Sequence, residues 1–80
     1  MSETELRDKL RSMVSNVIEV DDFSDDENFV RDLGLDSMMG LEIVARIEKS
    51  FHIRMPEEYL PRLQSLNDIV SSVHEVLAAA

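Results

Sequence analysis

The sequence lacks cysteine and tryptophan, and it has only two glycines, two prolines, three phenylalanines and one tyrosine. Without cysteine, neither a disulfide nor a thiolate zinc site can form. The longest apolar runs are only a few residues, which excludes a membrane-spanning helix. Residues 1–5 are polar and acidic, unlike a signal peptide, so we expect a cytoplasmic protein.

Basic residues are also scarce, since eight Lys and Arg stand against 17 Asp and Glu, for a net charge of −9. Such a surface repels phosphate backbones and disfavours nucleic-acid binding. It attracts basic proteins through long-range steering. A chain of 80 residues forms one domain, residues 1–80, with little room for a substrate pocket and a catalytic set. The small size therefore disfavours an autonomous enzyme, and we expect no catalytic residues.

Three segments carry the apolar spacing of amphipathic helices. The first runs from about Thr4 to Ile18, after a possible capping box of Ser2 with Glu5. The second follows Asp36 or Ser37 as its cap and extends to about Ser50 or Phe51. The third begins near a Ser65 cap, with its stripe at Leu66, Ile69, Val70, Val73 and Leu77. No segment shows two-residue alternation, so the sequence predicts an all-α fold.

Residues 20–36 show no helical period and hold seven acids against one base. We predict a long first loop that is tied to the core by its apolar residues, Phe23, Phe29, Val30 and Leu33. The acids lack the glycine and the terminal glutamate spacing of a calcium loop, so a solvated acidic surface is favoured over a metal site.

A short helical turn is predicted from Glu57 to Leu60, since Pro56 suits a first helical position and Pro61 disfavours helix at the residue before it. The predicted fold is thus a four-helix bundle of three longer helices and one short helix. We expect a monomer, because one core uses all the apolar stripes, and a discrete protein rather than an excised module.

The most informative stretch is residues 32–42, Asp-Leu-Gly-Leu-Asp-Ser-Met-Met-Gly-Leu-Glu. Here the sequence resembles the acyl carrier protein family, whose signature is a Gly-x-Asp-Ser-Leu-like turn opening the second helix of a four-helix bundle. The resemblance continues through Phe51, the Met55-Pro56 pair and the acids Glu57 and Glu58. It covers essentially the whole chain.

The resemblance implies that Ser37 carries a covalent 4′-phosphopantetheine arm derived from coenzyme A, with Asp36 as an adjacent helper. A helix N-terminus suits a phosphodiester anion. The implied partners are a phosphopantetheinyl transferase and acyl-loading, condensing and processing enzymes. The arm would supply a thiol that holds acyl groups as thioesters while other proteins do the chemistry.

Two other functions compete with the carrier. The chain could be an unmodified acidic adaptor in which Ser37 is only part of a helix cap. It could also be a hydrolase, but no Gly-x-Ser-x-Gly elbow surrounds Ser37. His52 and His74 are interpreted as surface or helix-end residues.

We expect the docking face for partner enzymes on the second helix and the loop before it. Three acids would steer partners, namely Asp32, Asp36 and Glu42. Three apolar residues would hold them, namely Met38, Met39 and Leu41. Arg46 is a base on a helix that is usually acidic in the family. Residues 38–51 are neutral overall, and Met39 stands where an acid or polar residue is common in the family. These departures favour a specialised polyketide, secondary-metabolite or lipid pathway, with general fatty acid synthesis as the alternative.

The cargo has two possible positions. Residues expected to face the core could part to shelter an acyl chain, namely Phe29, Ile43, Ile47, Ile53, Tyr59 and Leu63. The same residues could equally form a closed core that leaves the cargo in solvent.

Overall fold

The structure, a computed structural model, describes residues 2–79 and contains four α-helices and one 3₁₀ helix. They are α1 (Glu3–Ile18), α2 (Phe29–Leu33), α3 (Ser37–Phe51), the 3₁₀ helix (Glu57–Arg62) and α4 (Leu66–Ala79). No strand occurs among the described residues. The predicted all-α bundle is confirmed. None of the helices in this range is both long and apolar enough to cross a membrane.

One apolar core holds the three long helices together. α1 packs against both α3 and α4, because its apolar residues recur on one helical face. The core side chains of these helices are Leu6, Leu10, Val14, Ile18, Ile43, Ile47, Leu66, Ile69, Val70 and Val73. Phe23, Phe29 and Met55 complete the core from the connecting segments.

The helix ends confirm the predicted caps. Ser2 accepts the N–H of Glu5 at 3.1 Å, and Ser65 accepts the N–H of Asp68 at 3.2 Å. α1 and α3 both end in a left-handed residue, Glu19 and His52 respectively. These local hydrogen bonds satisfy backbone groups that a helix leaves unpaired at its ends.

The short helix α2 corrects the prediction of a loop without helical structure. Asn28 caps it by accepting the N–H of Arg31 at 2.8 Å, and Gly34 ends it with a φ of 72°. Phe29 is 1 % exposed whereas Val30 is 63 % exposed. The expectation that Val30 ties the loop to the core is wrong, because neighbouring residues on one helical turn point in different directions.

Ion pairs with α1 hold the first half of the loop in place. The carboxylate of Asp25 accepts hydrogen bonds from Arg7 and Arg11 of α1. Its carbonyl accepts the N–H of Asn67 at the start of α4, at 3.0 Å. The guanidinium of Arg11 also lies over the ring of Phe23, 4.5 Å from its centroid. The loop is therefore an ordered connection that joins α1 to α4.

The 3₁₀ helix differs from the predicted turn because it passes through Pro61 and ends at Arg62. Its bonds run over three residues, from Tyr59 N–H to the Pro56 carbonyl and from Leu63 N–H to that of Leu60. Pro61 lacks only its own donor, and a short 3₁₀ segment tolerates that loss.

Candidate functional site

Ser37 is the first residue of α3 and lies exposed at the end of a tight connection from α2. The left-handed Gly34 turns the chain out of α2, and the N–H of Leu35 donates to the Phe29 carbonyl at 2.9 Å. Only Gly34, Leu35 and Asp36 separate the two helices. This connection holds the backbone before Ser37 in a defined turn and leaves the serine accessible.

Asp36 is the N-cap of α3, as predicted. Its carboxylate accepts the N–H of Met39 at 2.9 Å, and its carbonyl accepts that of Gly40 at 3.0 Å. Within residues 2–79, no protein acceptor faces the N–H of Ser37 or Met38. The start of α3 therefore offers two free donors beside the serine, together with the positive end of the helix dipole.

An open groove of about 900 Å³ is lined by Ser37 and by residues of α2, α3 and the 3₁₀ helix. Its wall is mainly apolar, with Asn28, Arg31, Asp36 and Gln64 as polar exceptions; the apolar side chains are Val30, Leu35, Leu41, Val44, Leu60, Pro61 and Leu63. An extended and partly apolar group attached to the serine could lie along this surface.

Gly40 lines the same groove one turn after Ser37. A Cβ at this position would lie 3.6 Å from Cδ2 of Leu35, an ordinary van der Waals contact. The protein's own packing thus does not require glycine there, although glycine costs about 1 kcal/mol in a helix relative to alanine. Its absent side chain leaves room for a group approaching the helix.

The residues predicted for partner docking have unequal exposure. Met38 is 81 % and Leu41 60 % exposed, while Met39 packs partly against the core. Glu42 forms an ion pair with Arg46 at 2.8 Å. Met38 and Leu41 therefore present most of the apolar surface of α3 near Ser37.

Asp32, the remaining acid predicted for docking, lies on α2. Its carboxylate accepts hydrogen bonds from the Arg31 side chain at 3.3 Å and 3.4 Å and from the N–H of Asn28 at 3.0 Å. The side-chain hydrogen bond from Arg31, followed by that backbone bond, lowers the pKa of Asp32 below its usual value. These hydrogen bonds favour the charged form of the carboxyl group.

Sequence reasoning missed the groove wall opposite α3. It did not place Arg31, Leu60 or Gln64 in one groove with the serine, because α2 was not predicted and tertiary packing brings the other two residues there. A signal was present: Asn28 and Gly34 bracket five residues in the cap positions of a short helix.

The two histidines and the remaining acids are residue types that can bind metal ions. Within residues 2–79, no group of three His, Asp or Glu side chains could hold a metal ion. His52 ends α3, and His74 is an exposed residue of α4 whose Nε2 lies 3.8 Å from a Glu3 carboxylate oxygen. Both histidines are at a surface or a helix end, as predicted.

Comparison with known proteins agrees with this geometry. A family model described as "Phosphopantetheine attachment site" matches residues 8–73. An acyl carrier protein of Akkermansia muciniphila is 35% identical over 78 residues, covering 95% of this chain and 98% of that protein. A polyketide-8 synthase acyl carrier protein 2 of Streptomyces avermitilis is 39% identical over 62 residues, covering 75% and 71%. An acyl carrier protein of Streptomyces coelicolor is 35% identical over 80 residues, covering 96% and 87%.

The bundle and these matches define a phosphopantetheine-bearing carrier rather than an enzyme. The chain belongs to the acyl carrier protein family. Its prosthetic group is a covalently attached 4′-phosphopantetheine, which supplies the thiol that holds an acyl group as a thioester. The family implies interaction with synthase and modifying enzymes.

The residues around Ser37 fit this group. The serine hydroxyl is exposed for modification, two free N–H donors stand beside it, and Gly40 leaves a gap in the helix surface. The apolar groove wall suits the aliphatic portions of the arm.

Proposed function

We propose that Ser37 is the attachment point of phosphopantetheine and that the whole chain acts as one acyl carrier domain. The observation that carries this proposal is the exposed serine at the first residue of α3, on the wall of the apolar groove. The single core shared by α1, α3 and α4 supports one domain. Asp36 is the proposed helper, since its cap fixes the first turn that presents the serine.

Intact mass tests the attachment. The purified unmodified protein is incubated with coenzyme A and a broad-specificity phosphopantetheinyl transferase, beside Ser37→Ala and the matched control Ser50→Ala. Ser50 is an exposed serine in the last turn of the same helix. We expect one added phosphopantetheine on the wild type and on Ser50→Ala, and none on Ser37→Ala.

No mass gain on a folded wild type would contradict the attachment. That result would favour the unmodified acidic adaptor, in which the bundle and its acidic loop serve only binding. A gain on Ser37→Ala would place the arm on another residue.

We further propose that partner enzymes dock on α2 and α3 around Ser37. Met38 and Leu41 supply the main apolar contacts, with a smaller part for Met39 because it is partly covered. Asp32, Asp36 and Glu42 supply negative charge for steering basic partners. Arg46 reduces that charge by pairing with Glu42.

The docking face supports a specialised pathway rather than general fatty acid synthesis. Residues 38–51 carry no net charge. One acid, Glu42, is paired with Arg46, and the other, Glu48, accepts the N–H of Met55 at 2.8 Å. The charge of Glu42 is thus offset within α3, so steering depends mainly on Asp32 and Asp36 and suits a partner that is only moderately basic. A polyketide synthase carrier among the relatives is consistent with such a pathway.

Partner kinetics test the pathway. We expect a polyketide condensing enzyme to use the loaded carrier with a higher kcat/KM than a fatty acid condensing enzyme does. Arg46→Glu is expected to reduce the difference in kcat/KM between the two enzymes, because it makes α3 more acidic. Equal or better use by the fatty acid enzyme would sink the specialised assignment and leave the carrier role intact.

A further inference from the structure

Arg31 lies at the site without a role in the functions described above. Among the described residues that line the groove, Arg31 is the only cation, and it shares that groove with Ser37 and Asp36. It lies on α2, which only Gly34, Leu35 and Asp36 separate from the start of α3. A positive side chain of the most acidic segment thus lines the same groove as the serine.

The contact of Arg31 with Asp32 is weak. The two hydrogen bonds are 3.3 Å and 3.4 Å long, and the Arg31 side chain is 76% exposed. An exposed ion pair between long side chains stabilises little, since water screens it and both side chains lose freedom. Asp32 also keeps the N–H of Asn28 as a partner at 3.0 Å, so it stays hydrogen-bonded without Arg31.

A phosphodiester on Ser37 would add a negative charge next to the Asp36 carboxylate. The cap bond to Met39 N–H fixes that carboxylate in place, so it cannot turn away. The free N–H groups of Ser37 and Met38 relieve part of the repulsion. A guanidinium relieves more, because its planar fork matches two phosphate oxygens and forms charge-assisted hydrogen bonds.

We propose that Arg31 is a positioning residue that exchanges Asp32 for the phosphodiester once Ser37 is modified. The exchange fastens the root of the arm against α2 and aims it along the apolar groove. It also frees the Asp32 carboxylate on the face proposed for partner docking. The inference rests on the proposed attachment at Ser37.

The test compares unmodified and modified protein by NMR. The carboxyl pKa of Asp32 is followed by carbon titration, and the mobility of the phosphodiester by phosphorus relaxation. The added phosphate charge raises the pKa of Asp32 somewhat in any variant. We expect a larger rise in the wild type than in Arg31→Gln, because only the wild type also loses the hydrogen bond from Arg31. We also expect a more mobile phosphorus in Arg31→Gln.

Two further variants sharpen the result. Arg31→Lys keeps the positive charge but lacks the planar guanidinium that can bind two phosphate oxygens. We therefore expect it to give an intermediate phosphorus mobility. Arg62→Gln is the matched control, since Arg62 is also exposed and paired with an acid but does not line the groove. It is expected to behave as the wild type in both measurements.

The outcomes separate the two proposals. No mass gain in the modification reaction overturns the attachment at Ser37 and this inference with it. A confirmed modification with an equal rise in the Asp32 pKa and equal phosphorus mobility in wild type and Arg31→Gln overturns the inference alone. In that case Arg31 is an exposed surface residue that does not position the arm.

Discussion

Asp36 combines a structural and a functional position in one side chain. Its carboxylate caps α3 through the N–H of Met39 and stands directly before Ser37. A cap of this kind contributes about 1 kcal/mol to stability. Replacing Asp36 with a neutral capping residue or with a residue that cannot cap can therefore separate the effect of the cap from the effect of the charge.

We predict that Asp36→Ala lowers the free energy of unfolding by about 1 kcal/mol, whereas Asp36→Asn loses much less because asparagine also caps well. Urea unfolding measures both values. If the charge helps the modifying enzyme, both variants are modified more slowly. A normal rate for Asp36→Asn would show that only the cap matters.

Asp32 supports a prediction of pH dependence. The hydrogen bond from Arg31 and that from the Asn28 N–H hold its pKa in the folded protein below the ordinary 3.8. A carboxyl with a lowered folded pKa stabilises the folded state above its unfolded pKa, and this stabilisation is lost as the pH falls through the folded pKa.

Comparison of wild type with Asp32→Asn tests this direction of the pH dependence of stability. We expect a constant stability advantage of the charged carboxylate well above pH 3.8, and its disappearance below that value. Urea unfolding at a series of pH values measures the difference. An advantage that grew on acidification would contradict the assignment of the ion pair.

At the scale of elements, the long helices were predictable because each carries a continuous apolar stripe. Their stripes fix both the helices and the buried faces of α1, α3 and α4. α2 was missed because five residues are too few to show a period. The extension of the 3₁₀ helix through Pro61 was missed because the proline argument applies to α-helical bonding.

The candidate site likewise contains residues that a local motif predicts and residues that only tertiary packing brings together. Ser37 and Asp36 stand in one local motif, and their exposed and capping positions follow from neighbouring residues. Arg31 and Leu60 reach the groove only through tertiary packing of α2 and the 3₁₀ helix. The pairing of Asp25 with Arg7 and Arg11 joins residues 18 and 14 positions apart, which no local pattern specifies.

That pairing predicts what holds the loop before α2. We expect Asp25→Ala to lower the free energy of unfolding by about 1–2 kcal/mol, since it removes two charge-assisted hydrogen bonds that are partly exposed. Hydrogen exchange should accelerate in residues 20–28. Asp22→Ala, which removes an exposed acid from the same loop, is the matched control and is expected to change neither. Equal effects of the two variants would mean that loop charge alone matters.

At the scale of the whole molecule, the structure has a closed core beside an open groove. Ile47 is fully buried, with Phe29 at 1 % and Ile43 at 3 % exposure. Leu63, in contrast, is half-buried and lines the groove. An acyl chain can thus lie against Leu63 and Val44 without separating α3 from α1. Entry between Ile43 and Ile47 requires the packed core to open.

The balance of energies depends on the length of the cargo. Burial of each CH₂ contributes about 0.8 kcal/mol, so an acetyl group gains little and an octanoyl chain gains several times more. Opening a close-packed core forfeits contacts throughout the affected layer. We therefore predict that short and oxygen-rich cargo stays in the groove or in solvent. We also predict that shift changes which grow with the length of the acyl chain appear first at the groove residues.

Amide and methyl shifts of carriers loaded with acetyl, butanoyl and octanoyl groups test this prediction. We expect changes that grow with length at Leu41, Val44 and Leu63, while Ile47 and Val73 at the centre of the core stay constant. Leu63→Ala removes groove surface and should weaken the length dependence. Leu77→Ala, an exposed leucine on α4 outside the groove, should not. Shifts at Ile47 that equal those at Leu63 would show that the core opens and shelters the cargo.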